Sequence, residues 1–346
     1  MLRSNNHTLM KQAVWEFLYR FFPRHGHHLV QDGFLYDWQK DPTLARGTAR
    51  GGEKDDYLRP DNPRLKELRE RYTAFDQTAT TPIVWSPGHV TEEDLRNFRG
   101  ADIYVWQSGG LNYGLLAHVL TYYHVLSRDR LGLLKRLTDD PAFAVRLFEV
   151  DGRPVSRDLL DSVLEINLID REIGLASKSG LKVLDIGAGY GRLAHRMAEA
   201  LPNLEKHFCT DAVPESTFLC EHYLRYRGVE DKTQVVPLDE IEKTLAATPV
   251  DLAVNIHSFS ECSLEAIDWW AGLLAKHRVP WLVVCPNAKH DEGRFLGVED
   301  GRPFAPCIEK HGYELAKLVP KYDDPSIQAY GLDPSWFHIF RLKPVA

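Results

Sequence analysis

From residue 180 onward the chain alternates between two textures. Short runs of β-branched and other apolar residues at Leu181–Ile186, His207–Thr210, Gln234–Val236, Asp251–Ile256 and Trp281–Cys285 read as strands. Between them the apolar spacing turns helical, at 191–200, 214–227, 239–247 and 263–277. This βαβα alternation predicts a parallel sheet covered by helices on both faces. The tail departs from it. Tyr313–Val319 and Trp336–Leu342 read as two strands joined by a Pro-rich connection with no helix between them, which predicts a long hairpin at one sheet edge.

The first half is patterned differently. Val14, Phe17, Leu18 and Phe21 share a helical face, residues 23–63 are broken by Gly, Pro and Asp, and 64–75 read as a charged helix. A short helix at 92–97, a short apolar run at 103–106 and a helical pattern over 115–137 follow. Val150 to Ser156 reads as a turn, with Ser156 as N-cap of a helix from 157 to about 173 that Gly174 ends. Leu159, Leu160, Val163, Leu164, Ile166 and Ile169 form its apolar face. The pattern therefore divides the chain into a mainly helical region, residues 1–150, and an α/β domain, residues 151–346.

Composition narrows the partners. The 346 residues are 44% hydrophobic and 26% charged, which excludes a disordered or fibrous chain. A net charge of −7 argues against a broad basic face, so no nucleic-acid partner is expected. No apolar run approaches the ~18 residues of a span, so no membrane partner is expected either. Glu16 and Arg20 interrupt the apolar stretch 13–22, which reads as an amphipathic helix and not as a signal peptide. The five cysteines form no C-x-x-C pair, and a reducing cytoplasm is the expected setting.

The chemistry concentrates in Val183-Leu-Asp-Ile-Gly-Ala-Gly-Tyr-Gly-Arg-Leu193, a strand, a glycine-rich turn and a helix start. Gly187, Gly189 and Gly191 permit a tight turn and close backbone approach to a ligand. The dinucleotide pattern G-x-G-x-x-G fails, because Arg192 stands where its last glycine would be. The segment, with Asp185 two residues before the first glycine, resembles the first motif of class I S-adenosylmethionine-dependent methyltransferases. That resemblance implies a Rossmann-like seven-stranded sheet with an antiparallel C-terminal hairpin, and S-adenosylmethionine as cofactor. It implies contacts from Asp185, Gly187, Ala188, Gly189 and Gly191 to the methionine half. Asp211 and Ala212 would meet the ribose, Asp239 the adenine amino group, and Asn255 would line the pocket at the end of the fourth strand. A cationic sulfonium suits such an acidic pocket, whereas a pyrophosphate does not.

Three further segments, 155–161, 211–219 and 255–262, resemble signatures of a bacterial family of sugar O-methyltransferases, a likeness extending over about residues 100–343. It implies a sugar or glycoside hydroxyl as acceptor. A protonated hydroxyl is a poor nucleophile, so a base is required, alone or with a metal. His257 and Glu261, at the carboxyl end of the fourth strand, are the leading candidates, with His290 beyond the fifth strand as a third. Glu261, Asp291 and Glu292 are the set that could hold an optional Mg²⁺. Tyr104, Trp106, Gln107, Asn112 and Tyr113 offer aromatic faces and amides suited to a sugar. The N-terminal region is also where a homo-oligomer contact would be sought. Competing expectations are methylation of a non-sugar small molecule and a non-catalytic scaffold that binds the cofactor.

Overall fold

A computed structural model describes residues 57–75, 77–80, 84, 85, 88–96, 98, 115–140, 142–145, 147–288 and 290–344. The helix expected at 10–22 and the acceptor residues Tyr104, Trp106, Gln107, Asn112 and Tyr113 lie outside them.

Helix α1 (Pro63–Ala74) begins at Asn62, whose side chain accepts from the Arg64 amide, with Pro63 preset at the first helical position. Helix α2 (Leu115–Arg128) stops earlier than its apolar pattern suggests. Asp129 accepts from the Leu133 and Leu134 amides and Gly132 turns left-handed, which starts a separate short helical turn at Leu133–Arg136. Strands β1 (Phe148–Val150) and β2 (Arg153–Val155) form a hairpin around Asp151 and Gly152. Both residues have positive φ, the signature of a type I′ turn. Helix α3 (Arg157–Ile173) is capped as expected: Ser156 Oγ accepts from the Leu159 amide, and Gly174 closes the helix at φ 77°.

The α/β domain continues with β3 (Leu181–Ile186), α4 (Arg192–Ala200), β4 (Leu204–Thr210), α5 (Pro214–Arg227), β5 (Thr233–Val235), α6 (Ile241–Ala247), β6 (Leu252–His257), α7 (Leu264–Lys276), β7 (Trp281–Pro286) and β8 (Tyr313–Pro320). Helix α8 (Pro325–Tyr330) and β9 (Trp336–Leu342) complete it. The sheet order is β5-β4-β3-β6-β7-β9-β8. The first five strands in that order run parallel, and β9 lies antiparallel between β7 and β8. This is the expected seven-stranded Rossmann-like sheet with an antiparallel C-terminal hairpin. The tail does contain a helix, contrary to its pattern. Asp324 accepts from the Ser326 and Ile327 amides and Pro325 opens the first turn, so the Pro-rich connection nucleates α8.

The topology fixes where a ligand can sit. The chain leaves β3 toward β4 on one side and returns to β6 on the other, so the carboxyl ends of β3 and β6 border a switch point. The loop at 187–191 and the turn after His257 both lie there. The described part of the N-terminal region packs on this domain. Leu65, Leu68 and Tyr72 of α1 are buried, and the Tyr57 ring stacks on Phe218 of α5 at 5.1 Å.

Helix α3 is buried beyond its apolar face. Arg157, Asp158, Asp161, Ser162 and Glu165 are also buried. Arg196 of α4 binds Asp158 and Asp139, and Arg192 binds Glu165 at 2.8 and 3.1 Å. Burial of such charges is tolerable only because each is matched.

Candidate functional site

The glycine-rich loop closes onto the end of β4. The amides of Gly187 and Ala188 donate to the Thr210 carbonyl at 2.9 and 3.1 Å, and the Gly189 amide donates to Asp211 Oδ2 at 2.9 Å. Glycine is required at 187: φ is +75°, and a Cβ would stand 2.0 Å from Ser258 Oγ. Gly191, at φ +87°, lets the loop press on Cys220 and Leu224 of α5.

A small cleft, open to solvent, is lined by Asp185, Gly187, Ala188, Gly189, Tyr190, Arg192, Leu193 and Ile256. Asp185 is buried beside His207, Nε2 to Oδ2 3.8 Å. Arg192 is the one cation among the lining residues, and Glu165 neutralises it. The pocket is therefore acidic in net character, which fits the ammonium and sulfonium of S-adenosylmethionine and not a pyrophosphate. Asp211 sits next to it. Burial pushes its carboxyl up to about 7, against the pull of the Val213 and Gly189 amides, with Asp185 and Glu261 adding repulsion.

Two expected cofactor contacts are engaged within the chain. Asn255 donates to the Ile186 carbonyl and Ser258 Oγ and accepts from the Phe259 amide, so it ties β6 to β3 and shapes the turn after His257. Asp239 receives a bidentate pair from Arg71 at 2.9 and 3.0 Å. Ala212 is half-buried beside Asp211.

His257 ends β6 with φ 72° and ψ −34°, a backbone unusual for a non-glycine residue and of the kind that gathers at functional sites. It is buried, with Nε2 3.2 Å from Asp333 Oδ2. Asp333, also at positive φ, is reached by Arg157 Nη2 at 3.1 Å. Its backbone carbonyl accepts from Lys321 Nζ at 2.9 Å, and Lys321 in turn pairs with Asp161 at 2.8 Å. Burial alone would raise the Asp333 carboxyl, but Arg157, His257 and Lys321 hold it well below the usual carboxylate range. An ionised Asp333 favours the tautomer of His257 that carries its proton on Nε2.

Glu261 follows in the same turn. It accepts from Trp85 Nε1 and Asn287 Nδ2, and burial raises its carboxyl. His290 faces its own loop, with Nε2 3.0 Å from the Val298 carbonyl and its ring against Phe295. Asp291 takes a left-handed backbone, and the Glu292 side chain lies outside the described residues. Among the described residues no three His, Cys, Asp or Glu side chains gather as a metal cluster, and no helix is long and apolar enough to cross a membrane.

Sequence reasoning missed Asp333, Arg157, Lys321, Trp85 and Tyr72. Asp333 gives one faint signal, an Asp-Pro step inside the Pro-rich connection. Its partner stands 76 positions earlier in the chain.

No family model matches the chain, and no curated protein sequence matches it. Solved structures resemble parts of the chain at low identity and low TM-score. A SAM-dependent methyltransferase from Aquifex aeolicus is 18% identical, covering 52% of this chain and 89% of that one, with a TM-score of 0.37. Magnesium protoporphyrin IX methyltransferase (ChlM) from Synechocystis PCC 6803, with bound SAH, is 13% identical over 65% of this chain and all of that one, TM-score 0.39. The [4+2]-cyclase SpnF is 16% identical over 66% and 96%, TM-score 0.38. At such distances the fold assignment stands on the strand order itself.

Proposed function

We propose that the chain transfers a methyl group from S-adenosylmethionine to a hydroxyl of a sugar or glycoside, with His257 as general base. One observation carries the cofactor assignment: a glycine-rich turn at the β3–β6 switch point, flanked by the buried Asp185 and by Asp211, with its one lining cation neutralised. Gly187, Ala188 and Gly189 would hold the methionine portion, Asp185 its ammonium, and Asp211 the ribose hydroxyls. Bound there, the cofactor supplies an electrophilic methyl carbon on a sulfonium.

The chain's own residues then handle the proton. Asp333 fixes the ring of His257 and stabilises the imidazolium formed when the ring takes the hydroxyl proton. Arg157 and Lys321 keep Asp333 ionised, so the proton stays on the histidine and does not pass to the carboxylate. Glu261, in the turn after His257, is held in place by Trp85 and Asn287.

The acceptor class rests on the three segments at 155–161, 211–219 and 255–262. All three contribute to the proposed site: 155–161 supplies Arg157 and Asp161, 211–219 supplies Asp211, and 255–262 supplies His257 and Glu261. The test supplies methyl-labelled cofactor with a panel of nucleotide sugars, glycosides and their aglycones. Label on the sugar portion is expected. Label only on aglycones would refute the sugar acceptor, and absence of transfer to any hydroxyl would refute O-methylation.

A further inference from the structure

We propose that Tyr72 is a positioning residue for the nucleoside half of the cofactor site, joining the loop that carries Asp211 to the loop that carries Asp239. This rests on the S-adenosylmethionine reading above. The hydrogen-bond ladder between β4 and β5 ends at Cys209, whose carbonyl accepts from the Val236 amide. Beyond that point the two loops diverge into α5 and α6, and each carries part of the surface on which a nucleoside would lie.

Tyr72 continues the link. Its side chain enters from the last turn of α1 and is buried. Its hydroxyl donates to the Asp211 carbonyl at 3.1 Å and accepts from the Leu238 amide at 3.1 Å. Thr217 Oγ1, in the first turns of α5, lies 2.7 Å away. One O–H and two lone pairs are thereby all used, on three separate elements. The polar groups it holds are backbone groups of the two loops, so their spacing follows from the position of a single oxygen.

The rest of α1 fixes that oxygen. Arg64 pairs with Glu221 at 2.6 Å and Arg69 with Glu215 at 2.8 Å, both on α5. Arg71 grips Asp239. The helix is therefore tied to both sides of the gap that Tyr72 spans, and the carboxylate expected to meet the base is held from the same helix as the loop expected to meet the ribose. The base and its partner, His257 and Asp333, belong to β6 and the turn before β9, on the other side of β3. Loosening the nucleoside loops should weaken cofactor binding and leave the chemical step intact.

Tyr72→Phe keeps the ring and removes the hydroxyl. The full chain is titrated calorimetrically with S-adenosylhomocysteine, and methyl transfer is followed at varied cofactor. The Kd and the KM for cofactor are expected to rise about 3- to 10-fold, the effect of one hydrogen bond, with kcat at saturating cofactor and the KM for acceptor unchanged. If Tyr72→Phe does not fold, Thr217→Val removes one of the three partners and is expected to raise Kd in the same direction by less. A wild type that binds and a variant that binds equally well would overturn the role of Tyr72 alone. A fall in kcat with unchanged KM for cofactor would also overturn it. A wild type that does not bind S-adenosylhomocysteine would overturn the cofactor reading and this proposal with it.

Discussion

Asp333→Asn is the sharpest perturbation of the buried charge set. Arg157 and Lys321 are balanced there by Asp161 and Asp333, all four buried. The contacts from Asp333 to Arg157 and His257 are 3.1 and 3.2 Å. At an effective dielectric near 20, a charge pair at that distance attracts by roughly 5 kcal/mol, and several kcal/mol of desolvation per ion offset it. Asn is nearly isosteric but neutral. It leaves Arg157 with Asp161 alone, at 3.3 Å, and one positive charge in excess in the interior. The expected loss is about 3–5 kcal/mol in urea unfolding near pH 7. The pH dependence has a definite sign. Asp333 is held below its unfolded value, so its stabilisation is present above the unfolded carboxylate pKa and lost as pH falls. The gap between wild type and variant should be flat from about pH 8 to 5 and shrink below about pH 4. A variant within about 1 kcal/mol of wild type at pH 7, or a gap that does not narrow in acid, would refute the reasoning.

Other consequences are equally direct. Gly187→Ala places a Cβ against Ser258 at a left-handed backbone position, and should destabilise by at least about 2 kcal/mol and abolish cofactor binding; adding Ser258→Gly should restore part of the stability, as read by thermal unfolding. His257→Ala should retain S-adenosylhomocysteine affinity by calorimetry and lose about 10²- to 10⁴-fold in kcat. An ionised Asp211 accepts from both ribose hydroxyls and more strongly than a protonated one, so affinity should fall as pH drops below about 7, and Asp211→Asn should flatten that dependence. Because the folded chain holds that proton more tightly than the unfolded one, wild type should also lose stability relative to Asp211→Asn as pH rises from about 4 to about 7.

The sheet was legible because parallel strands covered on both faces read as continuous apolar runs. Among them Leu181–Ile186 matches its expected bounds, and so does the antiparallel Trp336–Leu342 of the C-terminal hairpin. The glycine turn and Asp211 were legible because their chemistry is local. What escaped depends on elements that meet only in three dimensions. Periodicity picks out the apolar face of α3, whereas Asp158, Asp161 and Glu165 look like solvated acids until Arg196, Lys321 and Arg192 arrive from α4 and the end of β8. Asp333 becomes the partner of His257 only because β9 inserts beside β7 and brings its preceding turn to the carboxyl ends of the parallel strands. Tyr72 sits on a helix whose charged pattern suggests a free surface, yet three of its arginines find acids on the α/β domain.

The central claim is that the β3–β6 switch point binds S-adenosylmethionine through the 187–189 loop and Asp211. Calorimetric titration of the full chain with S-adenosylhomocysteine, beside Asp211→Ala, tests it most directly. One ligand per chain is expected for wild type, with affinity at least about tenfold weaker in the variant, since a hydrogen bond to a charged group is worth about 1.5–3 kcal/mol. No binding by wild type, or binding that Asp211→Ala leaves unchanged, would contradict it.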